Sequence, residues 1–61
     1  MKRIKILSDG NELEFKEKKV INKVPMLVYE YVVSKSKVGQ TLLLSESELD
    51  KMVKNEIVKI L

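Results

Sequence analysis

The side chains able to do chemistry in this 61-residue sequence are nine carboxylates, twelve basic groups, two tyrosines and several hydroxyls, with no His and no Cys. The commonest general base, the usual thiol nucleophile and the best transition-metal ligands are therefore all missing. Most carboxylates already have structural work, as partners of lysines in a hairpin or as caps of a helix. Asp9-Gly10-Asn11-Glu12 looks like the start of a calcium loop but lacks the ligand spacing and the terminal Glu, and reads as a turn. A catalytic carboxylate pair needs a cleft that so short a chain rarely encloses. The expectation is a non-enzymatic protein with no cofactor, no metal site and no small-molecule substrate.

Two kinds of binding chemistry remain. Lys2, Arg3 and Lys5, followed by Lys16, Lys18 and Lys19, are the candidates for phosphate contacts, and Tyr29 with Tyr31 could stack bases beside them. A net charge of +3 permits this reading without demanding it, because acidic residues are interleaved along nearly the whole length. The other chemistry is apolar. Val20, Ile21, Val24, Tyr29 and Tyr31 fall outside the face that Ile4, Ile6, Leu13 and Phe15 define, and so small a domain has few interior positions to hold them. They are the candidate partner-binding residues, with a homodimer or a dedicated protein target as the expected occupant.

The elements that must position these groups are legible in part. Ser45 and Glu48 form a capping box, Leu44 and Leu49 the hydrophobic staple around it, and Glu46, Glu48 and Asp50 lie at the positive end of the helix dipole. A strand thus ends at Leu44 and a helix starts just after it. Asp9-Gly10 predicts a two-residue type I′ turn, pairing Ile6 with Leu13, Ile4 with Phe15 and Lys5 with Glu14, and leaving Arg3 against Lys16 as a misfit. Residues 17–25 read as a strand tail followed by a loop, in which Val20 and Ile21 either continue the strand into the core or form an exposed patch. Residues 26–33 read as the strongest strand, apolar on both faces, and so either central to a strongly curved sheet or covered on its second face by the helix or a second copy. After a polar turn at 34–39 comes a short strand at 40–44. The C-terminus fits either one helix to the end or a helix at 46–54 and a strand at 56–61, of which the second is favoured because 56–61 is rich in β-branched residues.

The expected fold is mainly β (α+β): one domain, a small SH3-like barrel or a curved antiparallel sheet of four to five strands, with one short helix near the C-terminus. Element order alone resembles that of SH3-like small barrels; the competing arrangement lays the helix across one face of an open sheet. No apolar run approaches the roughly 20 residues that cross a bilayer, Met1-Lys2-Arg3 is not followed by a signal-like core, and cysteine is absent, so a cytoplasmic location is expected.

Glu46-Ser47-Glu48-Leu49 is similar to the Glu-Ser-x-Leu run of phage-encoded uracil-DNA glycosylase inhibitors, small β-rich proteins that imitate DNA. The resemblance covers four residues and implies Glu46 as the acidic group that reaches an enzyme's DNA-binding cleft. The functional expectation is a cytoplasmic protein-interaction module, of the kind phages and mobile elements encode as inhibitors or adaptors. The alternatives are a nucleic-acid-binding small barrel and an inhibitor of the glycosylase-inhibitor kind.

Overall fold

Ser45 is the hinge on which the chain changes from strand to helix. In a computed structural model that describes residues 3–61, its Oγ accepts from the Glu48 amide at 3.1 Å while its own amide donates to Glu48 Oε1 at 2.9 Å. The capping box is thus closed in both directions. The helix that follows, α1 (Glu46–Lys54), ends in a Schellman motif. The Ile57 amide donates to the Met52 carbonyl at 2.8 Å and the Glu56 amide to the Val53 carbonyl at 3.1 Å, with Glu56 in the left-handed region at φ 58°.

Before the helix come β1 (Arg3–Ile6), β2 (Glu12–Ile21), β3 (Val24–Val33) and β4 (Thr41–Ser45), and after it β5 (Val58–Ile60). All pair antiparallel in one sheet of order β4-β3-β2-β1-β5. The sheet does not close into an SH3-like barrel: β4 and β5 are its two edges, and α1 carries the chain from one to the other across a single face. Of the two arrangements the sequence allows, the open sheet is the one adopted. The helix spans 46–54 as expected, and the C-terminal strand is shorter than 56–61 because the Schellman turn takes up its first residues.

Ile4, Leu13, Tyr29, Tyr31 and Leu44 form the core on the helix side, joined by Ile6, Phe15, Leu27, Leu42, Leu49 and Met52. The hydrophobic staple is present in this cluster, with Leu44 inside it and Leu49 packed against it. Phe15 and Tyr29 meet edge to face, their centroids 5.7 Å apart.

Three local features differ from the sequence expectation. The first hairpin closes through four residues rather than two: the Gly10 amide donates to the Ile6 carbonyl and the Ile6 amide to the Asn11 carbonyl, both at 2.8 Å. Only Gly10 takes a positive φ, and Asp9 instead accepts the Asn11 amide on its side chain at 2.9 Å. Ile4 therefore faces Leu13 rather than Phe15, and Arg3 faces Glu14 rather than Lys16. A slip of two residues keeps every side chain on its expected face, which is why the core still forms, and it removes the Arg3/Lys16 misfit.

The second difference is the turn at 22–23. Asn22 and Lys23, at φ 50° and 66°, connect Ile21 directly to its partner Val24 in a two-residue turn with both central residues left-handed. No loop separates these strands. The third is a pair of register shifts between β2 and β3, one leaving Lys16 unopposed on β2 and the other leaving Val32 unopposed on β3. Val33 is thereby turned to the face opposite Tyr31, and Lys18 is brought to the helix side. The second apolar face of β3 is not covered by the helix: Val28 is shielded there by its cross-strand neighbour Leu43, while Val33 stays exposed.

Candidate functional site

The β2–β3 hairpin outruns its neighbours. Among the described residues, β1 pairs with β2 as far as Glu14 on one side and β4 with β3 as far as Met26 on the other, and none lies as a third strand beside the two-stranded ribbon of residues 20–25. Its side chains are apolar on both faces. Val20, opposite Pro25, is 69% exposed, and the Ile21/Val24 pair on the other face is also exposed. Val20 and Ile21 do continue the strand, but away from the core; the structure gathers three of the candidate contact residues at one tip. The tight Asn22-Lys23 turn fixes its shape.

Tyr29 and Tyr31 stand elsewhere. Both are buried, Tyr29 to within 2% of full enclosure, and Lys37 Nζ lies 5.5 Å from the Tyr31 ring centroid. Burial also raises the Tyr29 hydroxyl above its ordinary pKa. Neither ring offers a face for a stacked base; Tyr29 borders only the floor of a cleft under α1, and both belong to the core. They fall there because Tyr31 pairs with Leu13 and Tyr29 with Phe15 beneath the helix.

Between helix and sheet lies a half-open cleft of about 540 Å³. Its floor is Ile4, Phe15, Leu27, Tyr29 and Ile60, its helix wall is Leu49, and its rim carries Glu46 and Asp50. Sequence reasoning singled out Glu46 but missed the cleft, because nothing in the linear order shows that a nine-residue helix spans the face without filling it. Glu46 is 63% exposed and meets Lys18 Nζ at 3.1 Å, a contact created by the register shift at Lys16. Apolar floor and acidic rim together suit an apolar side chain with a cation close behind it.

The basic residues are distributed differently. On the face away from the helix, Arg3 lies 3.6 Å from Glu12 and 3.9 Å from Glu14, and Lys16 lies 2.8 Å from Glu14 and 3.6 Å from Glu30, a network across three strands. The Lys16 hydrogen bond holds the Glu14 carboxyl below its usual range, and Glu14 in turn raises Lys16. Lys18 is engaged by Glu46. Lys5 faces Glu12 on β2 and Lys59 on β5, Lys19 lies opposite Met26, and Lys2 is outside the described residues. The five described positions therefore do not make one continuous basic track.

Among the described residues no group of three His, Cys, Asp or Glu side chains is placed to hold a metal ion, and no helix is long and apolar enough to cross a membrane. No protein-family model matches this chain, and no curated protein or solved structure matches it either.

Proposed function

We propose that this protein is a non-enzymatic interaction module that binds a protein partner through the apolar tip of the β2–β3 hairpin and the neighbouring cleft under α1. The observation that carries the reading is the tip: Val20, Ile21 and Val24 are exposed around a two-residue turn. Exposing β-branched residues at the end of a two-stranded ribbon favours association and contributes nothing to the core. The cleft adds specificity, since its apolar floor and the rim carboxylate Asp50 select an apolar anchor flanked by Lys or Arg, with Glu46 already beside Lys18. A cytoplasmic inhibitor or adaptor of the kind mobile elements encode fits this chemistry, and an inhibitor in which Glu46 engages a DNA-processing enzyme is one form of it.

Nucleic-acid binding is the weaker reading because carboxylates already stand beside Arg3, Lys16 and Lys18, so phosphates would have to displace them.

The test is capture from nuclease-treated lysate by the parent chain and two variants, followed by reconstitution with the purified target. Val20→Asp with Ile21→Asp should abolish capture, and Asp50→Lys should weaken it, while circular dichroism of both stays like the parent's. Retention of the same target by the double variant, or capture that disappears with nuclease alone, overturns the proposal.

A further inference from the structure

The two edges of the sheet are protected very differently. β5 is three residues long and carries a lysine at its centre. β4 is Thr-Leu-Leu-Leu-Ser, with no charge, no proline and no register shift against β3. Edge strands without such devices pair with other strands. The hydrogen-bond alternation shows which groups are free. The Tyr31 amide donates to the Gln40 carbonyl at 2.9 Å, which sets Leu42 and Leu44 to bond inward to β3 and turns the backbone of Thr41 and Leu43 outward. Ser45 follows the same alternation, its outward amide being taken by Glu48.

We propose that the β4 edge is the docking site for a second copy of this chain, joining two five-stranded sheets into one of ten strands. An antiparallel two-fold register with Thr41 opposite the partner's Leu43 lets each such pair exchange two backbone hydrogen bonds, four in all by this geometry. Leu42 then meets its own counterpart on the helix side. On the other face Leu43, 45% exposed, gains a diagonal neighbour in the second Leu43. The ends of β4 carry opposite charge. Residues 34–40 before it hold Lys35 and Lys37 and no acid, whereas the first turn of α1 after it holds Glu46, which shares its charge with Lys18, and the capping carboxylate Glu48, and no base of its own. Antiparallel pairing sets the basic loop of each copy against the acidic helix start of the other, and it is this complementarity that selects a second copy as the occupant. The helices do not obstruct it, because each leaves β4 toward β5 at the far edge of its own sheet.

Sedimentation equilibrium should give a species of twice 7.1 kDa that dissociates with rising salt. Leu43→Lys brings two like charges close to the two-fold axis and should weaken the dimer on the order of 100-fold, leaving the monomer folded by circular dichroism because Leu43 lies on the exposed edge. Thr41→Pro, which removes one outward amide at the first position of an edge strand, should weaken it as well. Val20→Asp at the hairpin tip should leave the dimer intact. A single monomeric species to several hundred micromolar overturns the proposal. So does a dimer that survives Leu43→Lys, or one that Val20→Asp dissolves.

Discussion

At the scale of single residues, the Ser45/Glu48 pair shows how a few hydrogen bonds fix the start of an element. Ser45→Ala removes the acceptor for the Glu48 amide and should cost about 1 kcal/mol, read as a lower urea midpoint. The reciprocal bond is pH-dependent. The Ser45 backbone amide, with its hydroxyl second, holds the Glu48 carboxyl below the ordinary glutamate range. A carboxyl whose folded pKa is depressed contributes stability that is fully present above its unfolded value and lost as pH falls through the folded one. Glu48→Gln, which keeps the capping geometry without the charge, should therefore flatten the loss of stability just below pH 4.5. An NMR titration of Glu48 with a midpoint at or above that of an unperturbed glutamate would contradict the bond.

At the scale of elements, the chain accepts left-handed backbone at Asn22, Lys23 and Glu56, where glycine would be easier. Lys23 is the least suited of the three, since Asn tolerates this region and Glu56 is stabilised by the Schellman bonds around it. Lys23→Gly should stabilise the protein by about 1 kcal/mol by relieving the steric penalty of a side chain at positive φ. A thermal midpoint unchanged or lowered would show that the turn is not of this type in solution. The register shift at Lys16 matters in a different way. It carries Lys18 to the helix side, where it meets Glu46, and sets which side chains of the hairpin tip face the cleft and which face away.

At the scale of the whole molecule, one helix and one sheet face enclose a core so small that few side chains are fully covered. Leu13 is completely buried, and its replacement by Ala should cost about 2–5 kcal/mol. A chain of this length has only roughly 3–9 kcal/mol of total stability. Leu13→Ala should thus be substantially unfolded at room temperature, seen as collapsed amide dispersion in a proton–nitrogen spectrum, whereas Leu43→Ala should fold normally. The thin core also accounts for Val28 and Leu43 covering one another on the open face, away from α1.

Features that depend on neighbours within a few residues could be read from the residue order alone. The capping box, the staple, the helix at 46–54 and the division of β1 and β2 into apolar and charged sides all follow from local hydrogen bonding and a two-residue period. The hairpin register was legible only to within two residues, because a slip of two leaves the faces unchanged and turn preference alone does not separate a four-residue closure from a two-residue one. Tertiary structure decided the rest. Tyr29 and Tyr31 have the composition of a contact surface and became core, because pairing with Phe15 and Leu13 set them under a helix distant in sequence. The open sheet, the cleft and the bare β4 edge follow from the path of α1 from one edge to the other. Where a helix crosses is set by competition among packing surfaces across the whole chain, and no local pattern records its outcome.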